Sequence, residues 1–156
     1  MSKVVKIGDC TVSDTRGETI TTYALASCMA VTAYSPSKKA AGMVHIVLPR
    51  PTQNQNDSLG PYYYAITGVP LMIDMMCSKY GCLKSELIIR LFGGANSIRV
   101  EDVFKLGQKN KQMVEMILKD MNLPYDASET GGVLSRTLEI DVLTGETTVR
   151  YQPITI

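Results

Sequence analysis

The sequence contains no tryptophan, only two phenylalanines and a single histidine, His45. One histidine rules out a histidine-rich metal centre and leaves a single side chain that ordinarily titrates near neutral pH. The four cysteines, Cys10, Cys28, Cys77 and Cys82, include no CxxC pair. A structural zinc site is therefore not expected, and free thiols are expected in place of a disulfide framework. Charge of one sign is also missing: 16 basic and 15 acidic residues leave a net charge of +1. That balance gives no electrostatic case for nucleic acid or for an anionic membrane surface. No apolar run approaches the ~20 residues that a membrane-spanning helix needs. The start, Met1 to Lys6, lacks the apolar core of a signal peptide. These absences predict a cytoplasmic protein. There is no P-loop, no GxGxxG at a strand-to-helix junction, no internal repeat and no low-complexity tract, and no cofactor is expected.

What is present fits an ordinary globular chain, with 156 residues, 45% of them hydrophobic and 20% charged. One domain over residues 1–156 is expected. Residues 3–12 read as an opening strand, and 13–22, rich in Thr, Ser, Asp and Gly, as a loop or short edge strand. Residues 29–34 and 40–48 flank the turn Ser35-Pro36-Ser37-Lys38-Lys39 and predict an antiparallel hairpin. The polar stretch 52–61 has no periodicity and reads as a mobile or functional loop. A helix follows toward Gly81, with Pro70 expected in its first turn. Residues 86–92 predict a strand running into Gly93-Gly94, and 107–122 a second helix with Val114, Ile117, Leu118 and Met121 on one face. A short strand after Pro124 and a hairpin with arms 133–142 and 146–152 complete the order. The fold class is α+β, a layered, largely antiparallel sheet system flanked by two main helices.

Two residues stand out chemically. Thr22-Tyr23-Ala24-Leu25-Ala26-Ser27-Cys28 delivers a thiol on a small-residue turn, and His45 follows seventeen positions later. In a simple hairpin about residues 35–39, His45 falls opposite residues 28–30. A thiol attacks as thiolate, and an adjacent imidazole is the usual base for its proton. On that basis an activated Cys28 is expected to alkylate ahead of the other three cysteines. The alternative is a small buried hydrophobe at Cys28 and a satisfied core residue at His45.

Several stretches together resemble the chemoreceptor glutamine deamidase family, CheD. They are Leu25-Ala26-Ser27-Cys28 with Thr22 before it, Gly42-Met43-Val44-His45 with Leu48-Pro49, and Leu91 to Asn96. Gly107-Gln108-Lys109-Asn110, Gly131-Gly132 with Arg136, and Thr144-Gly145 extend the likeness to residue 145. The family usually writes the nucleophile loop with glycines where Ala24 and Ala26 stand here. Alanine disfavours a positive φ, so this loop is expected to take ordinary dihedrals or carry some strain.

The resemblance implies a protein-glutamine amidohydrolase with Cys28 as nucleophile, His45 as general base and acid, and Thr22 orienting the imidazole. Backbone N–H groups around Cys28 would stabilise the oxyanion, with Ser27 shaping that loop. It also implies two partners, the helical cytoplasmic region of chemoreceptors as substrate and a CheC-type chemotaxis phosphatase. A rival reading is a regulated adaptor that binds receptor and phosphatase with little catalysis. A thiol protease or transglutaminase relative would share the intermediate and differ in acceptor. A lone redox-sensing thiol would leave His45 unexplained.

Overall fold

The computed structural model describes residues 1–52, 57–96 and 105–154. Among these, β1 (Ser2–Val4), β2 (Cys10–Ser13), β3 (Thr19–Leu25), β4 (Met29–Ser35) and β5 (Ala40–Ile46) precede helix α1 (Ala65–Ser78). Strand β6 (Ile88–Gly93), helix α2 (Leu106–Asp120), β7 (Tyr125–Thr130), β8 (Leu134–Asp141) and β9 (Thr147–Pro153) follow. The strands form two sheets, ordered β1-β3-β8-β9 and β2-β5-β4-β6-β7. Only β1–β3 and β6–β7 pair in parallel; the other neighbours are antiparallel. This is the expected α+β arrangement with two main helices.

Side-chain alternation along β4 and β5 builds the layers. Every residue of both strands is buried, so each must find an apolar partner on both faces of the sheet. Val31, Val44, Ile46 and Leu91 pack against Val69, Met72 and Met76 of α1 and Val114 and Leu118 of α2. Their sequence neighbours Ala30, Met43 and Phe92 face the other way, onto Ile20, Leu25, Leu138 and Ile140 of the four-stranded sheet. The five-stranded sheet is thus the middle layer, with helices on one side and the second sheet on the other.

Three elements differ from the sequence reading. Residues 3–12 are two strands in different sheets, because the chain turns at Gly8, whose φ is 72°. Residues 19–22 are a central strand segment, flanked by β1 and β8. Their β-branched side chains suit a pleated surface, and two of their hydroxyls are satisfied: Thr21 Oγ1 donates to Glu139 Oε2 at 3.3 Å and Thr22 Oγ1 to the Val5 carbonyl at 2.7 Å. Pro70 lies inside α1, one turn beyond the position expected. Ile66, whose carbonyl loses its helical donor there, is 42% exposed, so water can take that donor's place. The separate short turn expected before the helix is the 3-10 segment Pro61–Tyr63. The loop predicted over 52–61 falls partly outside the described residues, at 53–56.

One irregularity leads directly to the chemistry. Thr22 pairs with Leu138 but Leu25 with Arg136, so β3 carries one extra residue. In this bulge Ala24 takes a φ of 56°, a left-handed conformation that costs an L-residue roughly 1–2 kcal/mol. Ala24→Gly is therefore expected to stabilise the fold by about 1 kcal/mol after the extra unfolded-state entropy of glycine. A urea melt that shows no gain would rule the strain out.

Candidate functional site

The bulge turns the chain out of β3 with Thr22 still facing the middle of the sandwich. Thr22 is fully buried, and its Oγ1 lies 2.7 Å from the Val5 carbonyl and 2.7 Å from His45 Nδ1. A hydroxyl has one proton to give. The Val5 carbonyl can only accept it, so Oγ1 accepts in turn from His45, and Nδ1 carries the hydrogen. The neutral imidazole therefore has its lone pair on Nε2. That atom is buried and has no hydrogen-bond partner among the described residues. A base with its far nitrogen fixed and its near nitrogen free is ready to take a proton.

His45 is held rigidly as well. Its backbone N–H donates to the Asp9 carbonyl, and its carbonyl accepts from Gly8 N–H, both at 3.0 Å. With those groups facing β2, its pairing with Ala30 of β4 brings the side-chain faces close. Ala30 is two residues past Cys28, inside the window expected from the hairpin. Cys28 itself packs on the inter-sheet cluster, the side to which His45 points.

The loop that carries Cys28 is fixed by its carbonyls. Ala26 O accepts from Ala95 N–H at 2.7 Å, and Cys28 O from Gly94 N–H at 2.8 Å. Between them, Ser27 O accepts from Asn110 Nδ2 at 2.9 Å. The N–H groups of residues 26–28 have no backbone partner among the described residues. Ser27 enters this network through its carbonyl. Arg136, 7% exposed, lies beside the loop, donating to Gly131 O at 3.0 Å and stacking over Tyr151 at 5.7 Å. A cleft of about 400 Å³ reaches Thr22 and His45, lined also by Val5, Lys6, Ile7 and Tyr23. Ile7 and Tyr23 expose apolar surface at its rim, 64% and 53% accessible.

Electrostatics set the resting protonation states. Burial lowers His45 to about 4 and pushes the Cys28 thiol up to about 11. Cys28 Sγ makes no hydrogen bond to Nε2, so the substrate-free pair is thiol and neutral imidazole. This reverses the sequence-based expectation of a pre-activated thiolate. With the thiol raised, only about one molecule in 10⁴ holds thiolate at pH 7. Iodoacetamide should therefore modify Cys28 slowly at neutral pH, with the rate climbing about tenfold per pH unit to near pH 11. A rate that levels off near pH 7 would show a preformed ion pair.

Asn110 is the residue that reading the sequence for chemistry passed over, apart from its place in a family-like stretch. Its signal is helical spacing: Gly107, Asn110 and Val114 share one buried stripe of α2. An asparagine on such a stripe must be hydrogen-bonded. The acceptor for Thr22 on Val5 is a backbone carbonyl and leaves no trace in sequence.

Comparisons with known proteins fit this geometry. A family model described as "CheD chemotactic sensory transduction" matches residues 47–151. The chain belongs to the CheD family. Among CheD relatives, the "Probable chemoreceptor glutamine deamidase CheD 1" of Syntrophus aciditrophicus is 32% identical over 94% of this chain and 92% of its own. That of Desulforamulus reducens, also named as probable, is 40% identical over 83% and 78%. The "Chemoreceptor glutamine deamidase CheD" of Bacillus subtilis is 34% identical over 88% and 85%. The CheD family match begins beyond Thr22, Cys28 and His45, whereas the first of these relatives aligns over nearly the whole chain. Among solved structures, the hypothetical protein YfiH of Bacillus licheniformis superposes with a TM-score of 0.52 at 14% identity, over 79% of this chain and 51% of that one. The likeness is one of fold alone. No helix among the described residues of this CheD chain is long and apolar enough to cross a membrane.

Proposed function

We propose that this chain deamidates glutamines of chemoreceptors through a cysteine thioester. The carrying observation is the Val5–Thr22–His45 hydrogen-bond chain, which leaves Nε2 free on the face where Cys28 sits. Family membership and relatives named as chemoreceptor glutamine deamidases supply the substrate class. Cys28 Sγ attacks the glutamine Cδ while its proton moves to His45 Nε2. The amide oxygen becomes an oxyanion that the free N–H groups of the Ser27 and Cys28 region receive. Collapse breaks the C–N bond, and ammonia leaves with the proton from His45. Water then attacks the thioester carbonyl as His45 takes its proton, and the C–S bond breaks to release glutamate and return the thiol. Thr22 keeps the imidazole in one tautomer through both steps. The sum is one amide and one water converted to one carboxylate and one ammonium.

Because burial keeps the thiol protonated at rest, proton transfer accompanies attack instead of preceding it. The chain works in the cytoplasm on the helical region of the receptor, as one domain, with a CheC-type phosphatase as its second partner; family membership supports that last assignment. The test is mass spectrometry of a receptor cytoplasmic fragment incubated with the protein or with Cys28→Ala. A gain of about 1 Da at particular glutamines that vanishes in the variant carries the reading. Binding without conversion would make the chain an adaptor for receptor and phosphatase.

A further inference from the structure

Asn110 is wholly buried, and its Nδ2 donates to Ser27 O and to Val47 O, each at 2.9 Å. Carbonyl oxygens can only accept, so the amide nitrogen must face them. One carbonyl immediately precedes the Cys28 nitrogen, and the other lies two residues beyond His45. A single amide group therefore ties the thiol loop to the end of the strand that carries the imidazole. The helix comes close enough for this because of Gly107, where a Cβ would lie 2.2 Å from the Ala95 carbonyl oxygen. Ala95 in turn binds the loop at Ala26.

The Ser27 carbonyl and the Cys28 N–H belong to the same peptide unit. Accepting a hydrogen bond on the oxygen polarises that unit and makes its N–H a better donor. It also fixes the plane of the peptide, and hence the direction of the N–H. We propose that Asn110 is a positioning residue for acyl transfer at Cys28, holding and polarising the Ser27–Cys28 peptide so that its N–H serves as an oxyanion donor. The inference rests on the oxyanion role given above to the N–H groups around Cys28. It assigns Asn110 no contact with substrate.

The test compares two reactions of the same thiol. Acylation by p-nitrophenyl acetate passes through a tetrahedral oxyanion, whereas alkylation by iodoacetamide is a direct displacement and does not. Both are followed at Cys28 by mass spectrometry, at a temperature well below each protein's melting point. Asn110→Ala is expected to lower the acylation-to-alkylation ratio by about 10- to 100-fold, since removing an oxyanion donor outright costs ~10²–10³. A purely structural role would slow both reactions together and leave the ratio unchanged, which would overturn the proposal. Asn110→Leu keeps the side-chain volume and serves if the alanine variant fails to fold. It has no hydrogen to donate at any pH, so the ratio falls; a ratio like the wild type would equally refute the assignment. Neither reaction involves a receptor, so a chain that deamidates nothing still gives a decisive ratio.

Discussion

Exchanging His45 for glutamine is expected to lower the kcat for receptor deamidation by about 10³-fold, with KM changed little. General-base catalysis contributes ~10²–10⁴, and the chain has no second histidine to substitute. Thr22→Val should cost less, about 10²-fold, because the imidazole remains but loses the acceptor that holds its hydrogen on Nδ1. Thr22→Ser restores that acceptor and should recover most of the rate. A valine at this site also leaves the Val5 carbonyl without its donor, at about 1–3 kcal/mol, so rates must be compared well below the melting point. The pH dependence has a definite sign. Burial holds His45 at about 4, so Nε2 stays unprotonated through the neutral range and activity should fall only as pH drops toward 4. An acid limb near pH 6.5 would show a solvated imidazole, and full activity in His45→Gln would remove it from the mechanism.

A large stability effect is expected at Gly93, where strand β6 passes under the thiol loop. Its φ is 96°, and a Cβ there would lie 2.3 Å from the Cys28 carbonyl oxygen. Neither atom belongs to a flexible side chain that can swing away. The Cys28 carbonyl is also held in place by Gly94 N–H. Gly93→Ala adds the cost of the left-handed conformation, roughly 1–2 kcal/mol, to that of overpacking, typically 1–3 kcal/mol. A loss of about 3–4 kcal/mol in urea unfolding follows. Gly17 supplies the control: its φ is 88°, but nothing lies within 4 Å of its Cβ position. Gly17→Ala should show the conformational part alone. Equal losses in the two variants would mean that the loop yields and the close approach carries no energy.

Patterns close in sequence were readable; pairings across the sandwich were not. The hairpin of β4 and β5 follows from two apolar runs about a Pro-Ser turn, and it placed His45 within one residue of its partner, Ala30. The apolar face of α2 followed from helical spacing. Thr19 to Thr22 read as a loop because hydroxyl-bearing residues suit turns as well as strands. What decides between them is the presence of β1 and β8 on either side, a long-range fact. The divided opening strand hid for the same reason, since a turn at Gly8 shifts the chain between sheets with little change in composition. Ala24 shows the opposite limit. Alanine argues for ordinary dihedrals, yet the bulge imposes a φ of 56°, because register across β3 and β8 outweighs about 1 kcal/mol of local preference. The protonation of the thiol was misjudged from sequence because it depends on burial and on the direction of Nε2, both properties of the assembled layers.

The bond from Thr22 to His45 joins residues of different sheets, and that has a consequence for assembly of the chain. A nascent hairpin of β4 and β5 already carries the thiol just before its first strand and brings the imidazole near it. It lacks the hydroxyl that selects the proton's position on the ring, which arrives only when the second sheet docks. Closure of the two layers is thus the step that fixes the imidazole's tautomer and, by burial, raises the thiol, so partly folded chains that expose Cys28 should alkylate faster than the folded protein.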